Sequence, residues 1–157
     1  MGRIEERLQE LGLTLPERFR APPGMTLLFE PVLVVGAQAY VSGHGPADGA
    51  RVLMQGTVGA DLSVEQGHEA GRLTALSVLA SLKAALGELD RVQQWLRVTG
   101  YVRCTPDFQQ TTRVVNGFSE LILAVYGQAG RHARAAPGVV STPLGLPLVV
   151  EATVALG

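Results

Sequence analysis

Arg134 and Glu151 are the two residues of this 157-residue chain whose types and setting best suit chemistry. A planar guanidinium grips a carboxylate through two parallel hydrogen bonds. A glutamate takes a proton from attacking water or, protonated, feeds one to a leaving nitrogen. Both lie in GRHARAAPGVVSTPLGLPLVVEATVALG, residues 130–157, which reads as two strands joined by a Pro- and Gly-bearing connection. A charge inside an apolar run is costly to bury without a partner. Paired as antiparallel neighbours, the two strands would bring Arg134 and Glu151 to one place, and a structural ion pair is the simplest use of that placement.

The elements that must position them follow from the pattern upstream. Residues 3–12 form an amphipathic helix with Ile4, Leu8 and Leu11 on one face and Gly12 as its stop. A Pro-rich connector, Leu15 to Met25, runs over the surface, because Pro16, Pro22 and Pro23 forbid a continuing helix. Phe29 to Ser42 reads as a hairpin turning near Gly36 and Ala37. GHGPADGA, residues 43–50, is a loop by composition, with His44 solvated in it, and Arg51 to Val58 is a third short strand. The loop lacks the GK[ST] ending of a phosphate-binding loop.

A long helix follows. Ser63 caps it, Gln66 completes a capping box, and Leu73, Leu76, Leu79, Leu82 and Leu86 give it an apolar face. His68, in its first turns, has no second ligand at metal spacing and takes a surface or packing role. Gly87 breaks the helix. Val92 to Cys104 is then a long strand in which Gly100 marks a bulge or a close backbone approach. TPDF turns the chain into a second helix built on Val114, Val115, Phe118, Leu121, Ile122 and Val125, ended by Gly127 and Gly130. The order is three strands, helix, strand, helix, two strands. That implies an α+β fold: a mixed sheet with both helices on one face and the other face left to be covered by further copies of the chain.

Composition narrows the classes. The chain is 46% hydrophobic and 17% charged, which argues against disorder and for one domain with a real core. A net charge of −1 gives no electrostatic case for nucleic acid as a partner. The single cysteine, Cys104, excludes an intramolecular disulfide and a cysteine zinc site, and fits a reducing compartment. The charged, amphipathic start carries no signal-peptide core, and every apolar run is too short or too broken to span a bilayer. The expectation is a cytoplasmic protein with no membrane partner. Nineteen glycines and the positive mean hydropathy add to the case for an oligomer.

Several stretches, in order and spacing, resemble the RidA (YjgF) family, formerly labelled endoribonuclease L-PSP. They are VSGHGP at 41–46, LGELDRV at 86–92, PDF at 106–108, VVNGF at 114–118, ARAAPGV at 133–139 and PLVVEATV at 147–154. The chain is most similar to a variant branch with an N-terminal LGLxLP segment, supplied by Leu11 to Pro16, and a GRHAR signature, supplied by Gly130 to Arg134. The division is then an N-terminal helix and Pro-rich arm, 1–27, and a RidA-like domain, 28–157.

The resemblance implies a chorismate-mutase-like fold, a homotrimer whose six-stranded sheets face inward as a barrel, and sites in the clefts between subunits. It also implies hydrolysis of reactive 2-imino acids and enamines to 2-keto acids and ammonia, with no metal or organic cofactor. By the same resemblance Arg134 falls on the arginine that anchors the substrate carboxylate, and Glu151 on the acid that orients water or moves the proton. Asn116, Phe29, Ser42 and Gly43 fall near positions lining the cleft. The plain alternatives are a core aromatic for Phe29 and an ordinary helix-start residue for Asn116. Ala136 stands where many members carry cysteine, Pro137 follows it, and Phe29 stands roughly where a tyrosine is common, so the pocket wall differs from the main branch. Two other functions compete with deamination. One is a non-catalytic trimer that binds a small carboxylate metabolite. The other is RNA cleavage, for which Arg97, Arg103, Arg113, Arg131 and Arg134 would have to gather without a catalytic histidine pair.

Overall fold

In the computed structural model, which describes residues 2–157, the chain opens with helix α1 (Arg3–Glu10). Ile4 and Leu8 are buried and Leu11 stays at the surface. The helix start is held from far along the chain: the Asp90 carboxylate accepts from the backbone N–H groups of Arg3 and Ile4 at 3.0 and 2.7 Å. The connector then crosses the surface without regular structure, pinned where Glu17 N–H donates to Asp48 Oδ1 at 2.9 Å.

The expected hairpin forms from β1 (Val32–Val35) and β2 (Gln38–His44), with Gly36 in the left-handed region at φ 57° so that the turn closes in two residues. The next stretch departs from expectation. Residues 43–50 are not a plain loop, because β2 runs on through His44, and β3 (Ala47–Asp48) pairs with β4 (Arg51–Val52) around Gly49 as a separate two-stranded hairpin. Consequently 51–58 adds no third strand to the main sheet. Its glycines and proline read as loop text, but here they serve a bulge after Val41 and a tight turn.

Helix α2 (Val64–Leu86) starts at Ser63 with both halves of the capping box formed, and Gly87 ends it at φ 84°. Strand β5 (Val92–Arg103) is the long central strand. Helix α3 (Thr111–Tyr126) follows the turn at 105–108 and stops at Gly127. The last strands are β6 (Ala133–Ala135), β7 (Gly138–Val139) and β8 (Leu148–Leu156). Pro137 sits between β6 and β7. It has no N–H for the ladder, so it interrupts the edge, while its carbonyl still accepts from Val102 N–H at 2.9 Å.

The main sheet has six strands in the order β1-β2-β8-β5-β6, with β7 extending the β6 edge along β5. The β5–β6 and β5–β7 pairs are parallel and the rest antiparallel, so the sheet is mixed. Helices α2 and α3 cover one face. Alternate residues of β5 and β8, among them Val98, Val102, Val150 and Val154, are buried beneath them. Trp95 packs edge-on against Phe118 and Tyr126 with centroids 6.1 and 5.8 Å away, contacts worth about 0.5–1.5 kcal/mol each beyond burial. Gly100 is a close approach, not a bulge: a Cβ there would stand 2.7 Å from Val115 Cγ2. The opposite face carries no helix, and Leu33, Val35 and Tyr40 lie exposed on it. No helix among the described residues is long and apolar enough to cross a membrane.

Candidate active site on two faces of the sheet

The two final runs do not pair with each other. Strand β5 lies between β6 and β8, because β6 joins the sheet in parallel at its edge whereas β8 fills the gap beside β2. Arg134 is in register with Val98, which also partners Ala152, whereas Glu151 partners Thr99. Successive residues of a strand alternate faces. Arg134 therefore turns towards the helices and Glu151 towards the open face. Within one chain they share no site and make no ion pair.

On the helix side, Arg134 is half-buried and lies along the first turns of α3. Its Nη1 donates to Asn116 Oδ1 at 2.9 Å and to Ser119 Oγ at 3.0 Å, and Nη2 makes a long 3.5 Å contact to the Thr112 carbonyl. Residues 112, 116 and 119 recur at helical spacing on one stripe. All three acceptors are neutral, and no carboxylate lies within ion-pair distance of Arg134 among the described residues. Burial without a compensating acid pushes the guanidinium pKa below its ordinary value. A guanidinium has five N–H donors. The protein occupies both protons of Nη1, so the Nε–Nη2 edge is left for a planar anion. A cavity of about 310 Å³, lined by Asn116, Ser119, Leu123, Arg131, His132 and Arg134, opens there.

On the open face, Glu151 accepts from the Tyr101 hydroxyl at 2.9 Å, a bond that, as its main cause, pushes the Tyr101 pKa up. Glu151 lines a cavity of about 490 Å³ with Phe29, Ser42, Arg97 and Thr99. Phe29 is 53% exposed, so it is not a core aromatic within the chain. Ser42 Oγ donates to the Glu30 carbonyl at 2.6 Å. Gly43 follows Ser42 in β2 but does not line the cavity; its backbone packs on Val149, where a Cβ would come within 2.7 Å. Five of the six residues singled out in the sequence thus fall into two groups: Arg134 with Asn116, and Glu151 with Phe29 and Ser42.

Sequence reasoning missed Ser119 and His132. Two signals were present: the helical spacing from Asn116 to Ser119, and the two-residue spacing from His132 to Arg134, which sets both on one side of an extended chain. It also misplaced His44. That residue is buried in β2, where Nδ1 donates to the Ser42 carbonyl at 2.6 Å and Nε2 accepts from Ser81 Oγ at 2.8 Å. His68 is at the surface beside Glu120, 2.7 Å away, as expected. The five arginines do not gather on one side: Arg131 and Arg134 line one cavity on the helix side, but Arg97 is on the open face and Arg113 lies 4.0 Å from Glu65. No cluster of three His, Cys, Asp or Glu among the described residues could hold a metal ion.

Comparison with known proteins places this α+β unit in one family. The family profile described as YjgF/chorismate_mutase-like, putative endoribonuclease, matches residues 5–153. The chain belongs to that YjgF/chorismate-mutase-like family. It is 40% identical over 156 residues to Protein TCP17 of Trypanosoma cruzi, covering 99% of this chain and 95% of that protein. A solved structure from Shewanella oneidensis MR-1, carrying the same endoribonuclease description, superposes with a TM-score of 0.89 at 35% identity, covering 99% of this chain and 100% of that one. A protein of unknown function from Agrobacterium tumefaciens superposes with a TM-score of 0.86 at 37% identity, covering 98% and 91%.

Proposed function

We propose that the protein hydrolyses reactive 2-imino acids and their enamine tautomers to 2-keto acids and ammonia, in clefts between the subunits of a homotrimer. The observation that carries this reading is Arg134, a half-buried cation held only by neutral oxygens in the wall of a cavity, with a Nε–Nη2 edge that neither Asn116 nor Ser119 takes up. That edge suits a carboxylate, which accepts two parallel hydrogen bonds from it. The anchored carboxylate fixes the imine carbon for attack by water, and positioning alone removes a large part of such a barrier. Water adds to the C=N carbon, a proton reaches nitrogen, and the C–N bond breaks to release ammonia and leave the keto acid.

Glu151 is the acid–base candidate, and it has to come from a neighbouring copy, because the sheet separates it from Arg134 in the same chain. The uncovered face supplies a reason for copies to meet. Leu33, Val35, Tyr40 and Phe29 are 43–56% exposed there, and apolar exposure of that kind favours association. Phe29 and Ser42 would then wall the cleft beside Glu151. Placing the reaction in the cytoplasm belongs to this same reading.

The test is ammonia release from freshly generated 2-aminoacrylate. Wild-type protein accelerates it and Arg134→Ala abolishes the acceleration; equal rates would overturn the role of Arg134. The separation of Arg134 from Glu151 also favours a second reading, a non-catalytic trimer that binds a small carboxylate. Pyruvate binding that is lost in Arg134→Ala, with no turnover of 2-aminoacrylate, selects it. The dispersal of the arginines counts against RNA cleavage, and purified protein that degrades no RNA beyond nuclease controls removes it.

A further inference from the structure

We infer that His132 is a positioning residue for Arg134, acting through Ser119. His132 Nδ1 lies 2.6 Å from the Gly130 carbonyl and Nε2 lies 2.9 Å from Ser119 Oγ. A carbonyl only accepts, so Nδ1 carries a proton, and in the neutral ring the Nε2 lone pair faces Ser119. The Ser119 hydroxyl must then donate to His132, which turns its oxygen lone pairs towards Arg134 Nη1 at 3.0 Å. The chain of donors runs in one direction, from Arg134 to Ser119 to His132 to the Gly130 carbonyl.

Without the imidazole, Ser119 has a competing option. A serine inside a helix readily donates to the carbonyl four residues back, here that of Val115. Thr74 does so in α2, donating to the Ala70 carbonyl at 2.7 Å. Ser119 makes no such bond, because His132 draws its proton away from the helix. The molecule uses the same arrangement elsewhere: Ser81 donates to His44 Nε2 while accepting from Phe19 N–H. At Arg134 the effect is to saturate Nη1 with Asn116 and Ser119 together and so leave the Nε–Nη2 edge for an anion in the cavity that Arg134 lines. Arg131 also lines that cavity and makes no ion pair among the described residues, so the contacts that orient the Arg134 guanidinium are those to Asn116, to Ser119 and, at 3.5 Å, to the Thr112 carbonyl.

The relay rests on the reading of Arg134 as a carboxylate anchor, and its test separates the two. Pyruvate affinity is measured by calorimetry for wild type, Arg134→Ala, His132→Leu, His132→Gln and Ser119→Ala. Exchange of the Arg134 guanidinium protons is followed by nitrogen-15 NMR, with thermal melts as a folding control. His132→Leu and Ser119→Ala weaken pyruvate binding on the order of tenfold. His132→Gln, which offers an amide oxygen near the place of Nε2, stays within a few-fold of wild type. The Nη1 protons exchange slowly in wild type and in His132→Gln, and fast in His132→Leu. Wild-type affinity and slow exchange in His132→Leu would overturn the relay. If His132→Leu fails to fold, Ser119→Ala breaks the same chain without touching the strand, and its wild-type behaviour would be equally fatal. If wild-type protein ignores pyruvate, or Arg134→Ala binds it unchanged, the anchor reading falls and the exchange measurement alone decides the relay.

Discussion

Arg134 and Glu151 stand on opposite faces of one sheet, with β5 between their strands: Arg134 is in register with Val98, Glu151 with Thr99. A charge pair split in this way cannot neutralise itself within the chain. Each charge is left with polar, uncharged partners: Asn116 and Ser119 for the arginine, Tyr101 for the acid. The two become parts of one site only if an Arg134 edge of one copy meets the Glu151 face of another.

Mixed assemblies test that consequence. Arg134→Ala and Glu151→Gln subunits, each inactive alone, are co-refolded in equal amounts. A cleft built from two chains is intact when it takes Arg134 from one parent and Glu151 from the other. Random mixing makes about a quarter of clefts intact, so about a quarter of wild-type deaminase activity returns. If both residues served from one chain, no mixture would recover anything.

The attachment of the N-terminal helix is separately testable. Asp90 caps the first turn of α1 from 86 residues away, at 2.7 Å to the Ile4 N–H. Its loss strands two donors of the helix start and frees Ile4 and Leu8 from the core. Asp90→Ala costs about 1 kcal/mol, whereas Asp90→Asn keeps one acceptor oxygen for the two N–H groups and costs less. Urea melts of the two variants measure the difference, and limited proteolysis cuts the arm faster in Asp90→Ala.

Local chemistry was legible where one stretch carries its own instructions. Ser63 and Gln66 announce a helix start, Gly36 and Ala37 a two-residue turn, and Gly87 and Gly127 helix ends; each appears where its side chain, or lack of one, dictates. His44 was not legible, because glycines and a proline beside it mimic a loop, whereas the pocket that buries it is made by Phe19 and Ser81 from distant segments. The face assignment of Arg134 and Glu151 was hidden for a related reason. It depends on β5, thirty or more residues upstream, inserting between two runs that are neighbours in sequence, and parallel pairing leaves no hairpin signal. Arg134 itself was singled out as a charge inside an apolar run, and the family resemblance suggested its role. Its support by Ser119 was not legible, since that contact joins a helix to a strand.

Gly117 sets how closely the two long helices approach. A Cβ on Gly117 would run into the His68 carbonyl of α2, and one on Gly71 would stand 2.7 Å from the Val114 carbonyl of α3. Backbone on both sides cannot yield as a side chain end does. Gly117→Ala therefore destabilises by about 1–3 kcal/mol or more despite alanine's better helix propensity. It also shifts α3, which carries Asn116 and Ser119, so pyruvate affinity falls in the protein that remains folded. A melting temperature at or above wild type would contradict this.

His44 makes the fold sensitive to mild acid. Burial is the main cause of its lowered pKa, and the hydrogen bond to the Ser42 carbonyl opposes it in part. The native state thus prefers the neutral ring more strongly than the unfolded chain does, whose histidine titrates near 6.5. Stability from this residue is fully present above that value. It is lost as pH falls below it towards the lowered native value, because there the unfolded state binds the extra proton. Below the native value the loss levels off. In His44→Gln, an amide that can still accept from Ser81, this titration is absent. Urea midpoints of both proteins at about pH 7.5 and about pH 5.5 isolate the effect: the advantage of wild type over the variant shrinks at the lower pH. A constant difference across that interval would mean that His44 stays protonated or unprotonated alike in both states.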